Sequence, residues 1–256
     1  MKHSADGFTI IEVILFLGIS SLLLVGAFVG MNAAINNTQF NDTTDTTLSY
    51  FQKQYLEVAT GVNIRGGGLA CNSGQLVVDA SSTENPGRSN CVILGRLLVL
   101  DKNTTAGTVE SRYLSSRIVN IEGVSDLGAF SGSSNYQPRI SNAPPLEAEF
   151  ELPWSGIIKN AVKVSGGTAD TVGSIAIIRS PVSERMMIYA FASTTPAASE
   201  FANQNNLIAF NRSLEVCLQS DNGLFAKKAM LRADPGQGQD LFTVDRSGAG
   251  TARCNP

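Results

Sequence analysis

Gly7-Phe8-Thr9-Ile10-Ile11-Glu12-Val13-Ile14-Leu15-Phe16-Leu17-Gly18-Ile19-Ser20-Ser21-Leu22-Leu23-Leu24-Val25-Gly26-Ala27-Phe28-Val29-Gly30-Met31-Asn32-Ala33-Ala34 is the stretch on which the fold turns. From Phe8 to Met31 the only charged side chain is Glu12, and these 24 residues would rise about 36 Å as an α-helix, against roughly 30 Å of bilayer hydrocarbon. The run therefore has the length and polarity of a membrane-crossing helix. Glu12 is the exception within it. A carboxylate one turn inside such a helix costs on the order of 2–3 kcal/mol to bury, so it calls for a partner.

An ordinary secretory signal would use Lys2 and His3 as its basic region and Ala33-Ala34 as its cleavage site. Against that reading, the apolar run is longer than a typical signal core, Asp6 adjoins its start and Glu12 falls inside it. A short polar leader, then Gly7, Phe8-Thr9 and Glu12 in an apolar run, resembles the class III signal of type IV pilins and type II secretion pseudopilins. The resemblance implies that residues 1–7 are a leader cut after Gly7, with Phe8 the N-methylated mature start. It implies a prepilin peptidase/methyltransferase, an inner-membrane assembly platform and other pilin subunits as partners. The chain would be a single-pass membrane protein before assembly, then part of an extracellular pilus or a periplasmic cell-envelope filament. Glu12 would be the assembly residue, meeting a neighbour's Phe8 amine, unless it pairs with the amine of its own chain.

Residues 8–34 thus read as the transmembrane or filament-core helix, and residues 35–60 as its amphipathic continuation. Asn32 to Thr47 is rich in Asn, Thr and Asp, whose propensity favours a loop. Yet Phe40, Thr44, Leu48, Phe51, Tyr55 and Val58 recur at steps of four and three, placing them on one helical face. The expected helix runs from Phe8 to about Thr60. Gly18, Gly26 and Gly30 each weaken it by about 1 kcal/mol relative to Ala. Its run holds no proline, where many members of the family have one, so any bend must come from these glycines.

Gly61 is the expected helix stop, and Arg65 to Cys71 a flexible connection. The glycines at 66–68 lack the Lys-Ser/Thr and the strand-to-helix context of a phosphate loop. Residues 61–256 read as a β-rich head. Expected strands are Gln75–Asp79, Cys91–Asp101 with a bulge at Gly95, Val109–Leu114, Arg117–Ile121, Leu146–Leu152, Ser174–Arg179, Arg185–Ala192, Leu207–Phe210, Ser213–Gln219, Phe225–Arg232 and Leu241–Asp245. Ser125–Asn135 and the prolines at 144, 145 and 153 read as loops, with a seam between subdomains open near Pro138–Pro145. Asp221-Asn222-Gly223 is a hairpin turn signal and Asp234-Pro235-Gly236 a second turn. The fold class is α+β, a long N-terminal helix packed on an antiparallel head. The C-terminal meander is similar to the disulfide-bounded C-terminal region of type IV pilins.

Cys71, Cys91, Cys217 and Cys254 all follow the apolar segment, and an even count in an exported head points to two disulfides with three connectivities open. Nearest-neighbour pairing, Cys71–Cys91 and Cys217–Cys254, is expected. Zinc is the alternative, but no two cysteines have the close spacing of a zinc site.

Formal charge is −3 and Lys and Arg are scattered along the chain, which argues against an extended nucleic-acid footprint. His3, in the leader, is the only histidine, so its removal leaves neither a Ser-His-Asp nor a Cys-His arrangement. Glu147, Glu149 and Glu151 share one face of an alternating strand, where a cation site or an acid/base pair competes with a solvated face. The Asn41, Asn103 and Asn211 acceptor patterns are of the kind that arises by chance in an Asn-, Ser- and Thr-rich chain. No metal, cofactor or enzyme activity is nominated. The leading expectation is a structural pilin or pseudopilin; the alternatives are a minor pilin whose head binds a surface or DNA as an adhesin, and an exported enzyme on a signal anchor.

Overall fold

A computed structural model of the chain describes residues 9–61, 69–79, 90–101, 107–119, 123–132, 135–141, 147–166, 168–208, 212–220, 228–233 and 242–245. Helix α1 runs without a break from Ile10 to Ala59, 50 residues and about 75 Å at the α-helical rise. Local chemistry sets both ends. Thr9, in extended conformation, accepts the Glu12 N–H at 3.3 Å while Glu12 Oε2 accepts the Thr9 N–H at 3.4 Å, a reciprocal capping box. At the other end Gly61 adopts φ +65° and donates to the Val58 carbonyl at 3.1 Å, a left-handed stop in which glycine carries no Cβ penalty.

The Thr-rich stretch is helical because tertiary packing outweighs propensity. Phe40, Thr43, Thr44, Thr47, Phe51, Gln54 and Val58 form the buried seam, with Leu48 and Tyr55 half-buried beside it. The threonines can be buried because their hydroxyls donate back along the helix: Thr43 to Gln39 O at 3.0 Å, Thr44 to Phe40 O at 2.8 Å and Thr47 to Thr43 O at 2.7 Å.

Among the described residues the head holds thirteen strands, all paired antiparallel. A hairpin of β1 (Leu69–Asn72) and β2 (Gln75–Val78) comes first. The first large sheet contains β3 (Cys91–Asp101), β4 (Thr108–Arg117), β5 (Arg139–Ile140), β6 (Glu147–Glu151), β9 (Ser174–Arg179) and β10 (Met186–Phe191), in the order β10-β9-β3-β4. Here β5 and β6 pair with opposite ends of β4. The second contains β7 (Gly156–Ser165), β8 (Thr168–Thr171), β11 (Arg212–Ser220), β12 (Lys228–Ala233) and β13 (Phe242–Asp245), in the order β13-β12-β11-β7-β8.

One core joins both sheets to the helix. Phe51 and Val58 of α1 pack with Leu98, Val109, Ile175 and Ile188 of the first sheet and Ile158, Leu214, Val216 and Phe242 of the second. Alternation puts the other face of the first sheet in a second core, where Leu97, Leu114, Tyr189 and Phe191 meet Phe130 and Phe201 from short 3-10 turns. The Ser125–Asn135 region thus contributes core residues from a loop.

Several expectations need correction. Val109–Leu114 and Arg117–Ile121 are not two strands: β4 is continuous through Ser115 and Ser116, and ends at Arg117. Both serines are fully buried, Ser115 Oγ donating to Gly74 O at 3.0 Å and Ser116 Oγ accepting the Gln137 N–H at 3.0 Å, so polar residues that look like a break are satisfied inside the sheet. Leu69–Cys71 is strand, where a flexible connection was expected; residues 62–68 lie outside the described residues. Leu207 makes an isolated bridge to Tyr189, and Ala209 and Phe210 lie outside. So do the expected turns at Asp221-Asn222-Gly223 and Asp234-Pro235-Gly236.

The bulge in β3 occurs where Gly95 was expected to produce one. Ile93 faces Ser115 and Gly95 faces Leu114, so Leu94 is the extra residue. A Cβ on Gly95 would lie 1.9 Å from the Ile177 carbonyl oxygen, which only glycine avoids. The bulge switches strand parity, so that Arg96 rather than residue 95 points to the helix.

Candidate functional site

The half of α1 that precedes Phe40 packs no large apolar side chain against the described head. Every large apolar side chain from Ile10 to Ile35 is exposed, from 79% at Ile10 down to 44% at Val13, and none of the most apolar 18-residue stretch is buried. By length and composition this helix can cross a membrane. A helix that is apolar on all sides requires lipid or other apolar helices around it. Glu12 lies at its start in the capping box with Thr9, so part of its hydrogen-bonding capacity serves its own helix. Gly7 and Phe8, the expected processing residues, lie outside the described residues.

At the other end, the helix is clamped to the head by charge. Arg96, buried in the first sheet, donates from Nη2 to Glu57 Oε2 at 3.1 Å and to the Tyr113 hydroxyl at 2.9 Å, and from Nη1 to Ser111 Oγ at 3.3 Å. Ser111 in turn donates to Gln54 Oε1 at 3.0 Å, so two helix residues one turn apart hold one network. The Arg96 guanidinium lies 3.8 Å from the centre of the Tyr113 ring. Nearby, Tyr50 stacks on Phe150 at 4.2 Å, and burial raises its phenol pKa above the ordinary value. A cleft of about 330 Å³ opens beside this network, lined by Glu57, Arg96, Tyr113, Arg179 and Glu184. Arg179 is paired with Glu184 at 2.6 Å, so both guanidinium groups of the cleft already have carboxylate partners, and the cluster serves to fix the helix.

Between these two regions lies a contact that the sequence reading missed. The crossover from β6 to β7 passes under the helix at Pro153-Trp154-Ser155, where Thr43 Oγ1 shares its one proton between Gln39 O and, at 2.8 Å, Pro153 O, and the Trp154 indole N–H donates to Asp42 Oδ2 at 2.6 Å. The only local signal was the chain's single tryptophan between a proline and Ser155-Gly156. Its partner lies 112 residues away.

Cys71 and Cys91 form a disulfide joining β1 to β3, as expected. Cys217, in β11, is also disulfide-bonded; Cys254, its expected partner, lies outside the described residues. Glu149 and Glu151 are exposed, as a solvated strand face requires. Among the described residues no three His, Cys, Asp or Glu side chains converge as metal ligands. A disulfide fits an oxidising compartment outside the cytoplasm. Comparison with known protein families, with curated proteins and with solved structures finds no match.

Proposed function

We propose that this chain is a structural subunit of a type IV pilus or a related pseudopilin filament. The observation that supports it most is the division of one continuous helix into two halves of opposite burial, the first exposed and apolar, the second the spine of an antiparallel β head. Such a helix suits two environments in turn, since lipid and the apolar flanks of other copies remove the same surface from water. In this reading a prepilin peptidase cuts after Gly7 and methylates Phe8, an inner-membrane platform extracts the subunit, and the β head, cross-linked at Cys71–Cys91, faces outward.

Replacing Gly7 with a bulky residue, in cells carrying a prepilin peptidase, is the direct test. The expected result is full-length precursor retained in the membrane; efficient removal of residues 1–7 in that variant contradicts the reading. A major subunit should dominate purified filaments, whereas a minor pilin using its head as an adhesin should be stoichiometrically rare.

A further inference from the structure

We propose that Trp154, held by Asp42, is an interfacial anchor that seats the head on the phospholipid surface and fixes how deeply α1 is inserted. The inference rests on the membrane-inserted stage of the proposed function. Three observations carry it.

Trp154 is the largest apolar side chain that the described head exposes, at 56%. It is held there at a conformational cost. Trp154 has φ +56° and Ser155 has φ +54°, consecutive left-handed residues that are not glycine, a conformation that persists only where the surroundings over-determine it. The surroundings impose this turn: Leu152 is buried, Thr43 bonds the Pro153 carbonyl, and a Cβ on Gly156 would lie 2.4 Å from Thr43 Cγ2. A strained backbone that presents an aromatic ring to the outside points to a contact the ring makes.

The second observation is charge and spacing. Asp42 is the first charged residue after Glu12, so positions 13 to 41 carry no charge. The thirty steps from Glu12 to Asp42 lie in one unbroken helix and rise about 45 Å, close to the roughly 40–45 Å of a bilayer with its headgroup layers. With Glu12 at one surface, Asp42 and the ring it holds reach the other. The third is the chemistry of the pair. The indole N–H is taken up by Asp42 at 2.6 Å, which offsets part of the carboxylate's charge and leaves the apolar ring face available, the combination for which tryptophan is enriched at membrane interfaces.

Because the chain has a single tryptophan, its own fluorescence reports on this residue alone. The experiment places the full chain in phosphatidylethanolamine–phosphatidylglycerol vesicles containing lipids brominated either near the headgroup or near the bilayer centre. The expected result is blue-shifted emission, poor quenching by aqueous iodide, and quenching roughly twofold stronger by shallow than by deep bromines, as an interfacial indole requires. Asp42→Ala should abolish that depth preference.

Protein that floats with the vesicles but emits as a water-exposed, iodide-quenched indole overturns the anchor while leaving membrane insertion intact. A blue shift that appears only when copies are packed into filaments also overturns it, naming a second copy of the chain as the partner. Failure to float with vesicles removes the insertion reading and the anchor together.

Discussion

Glu57 Oε2 and Arg96 Nη2 lie 3.1 Å apart, joining the last turn of α1 to the bulged strand β3. The pair lies in a sheltered place, with the arginine side chain 11% and the glutamate 24% exposed. Removing the carboxylate leaves a guanidinium in the sheet with only neutral partners, Tyr113 and Ser111. Glu57→Ala should therefore destabilise the head by about 2 kcal/mol, less than for a fully buried pair because water reaches the glutamate. Urea unfolding of the wild type and variant checks this. An unchanged midpoint would show that the pair does not hold the helix to the sheet.

Glu12 has two roles that substitution can separate. A glutamine at N3 still completes a capping box with Thr9 but carries no charge, whereas leucine loses both. If Glu12 meets the Phe8 amine of a neighbouring subunit, Glu12→Gln should insert and be cleaved normally yet enter filaments as poorly as Glu12→Leu. Filament yield by shear fractionation is the readout. Normal assembly of Glu12→Gln would reduce the residue's role to the cap.

The Cys71–Cys91 disulfide spans a sequence separation of 20 residues, which the chain-entropy estimate makes worth about 3 kcal/mol. Replacing both cysteines with serine should lower the stability of the head by that order in denaturant titration. Peptide mapping without reduction should also recover Cys217 joined to Cys254; Cys217 linked to a second copy of the chain would contradict that pairing.

Asp126 should make part of the head's stability acid-sensitive. Partial burial pushes its carboxyl up, but the Ser180 and Ser183 hydroxyls at 2.5 and 2.8 Å, the Ser183 N–H and Arg185 together hold it below its ordinary value. A lowered folded-state pKa means that this contribution is complete above the unfolded value of about 4 and is lost as pH falls through the folded value. Asp126→Asn should cost about 1 kcal/mol at neutral pH and flatten the acid limb of the stability–pH curve. An acid limb as steep as that of the wild type would exclude the residue as its source.

The sequence is most legible where one period dominates. Phe40, Thr44, Phe51 and Val58 announce the amphipathic half of α1 despite its poor formers, and Gly95 announces its bulge. Strand β7 is hidden because its alternation breaks: Cys217 pairs with Asn160 and Leu218 with Ile158, leaving Lys159 as an extra residue, and Ala161 and Val162 are both buried. The Thr9-x-x-Glu12 capping box is present as a local pattern, but the apolar run around it points to Glu12 as an intramembrane acid in need of an amine partner and hides its role in the cap. The Asp42–Trp154 and Gln54–Ser111–Arg96 contacts join positions far apart in sequence, and no local period encodes them.

In the proposed function, removal of residues 1–7 frees an apolar helix for lipid and then for a filament. The measurement that bears on it most directly is intact-mass and N-terminal peptide analysis of the protein recovered from cells with a prepilin peptidase. The expected result is a chain that begins at Phe8 and carries one N-methyl group. A chain cut near Ala34, or one that retains Met1, would contradict it.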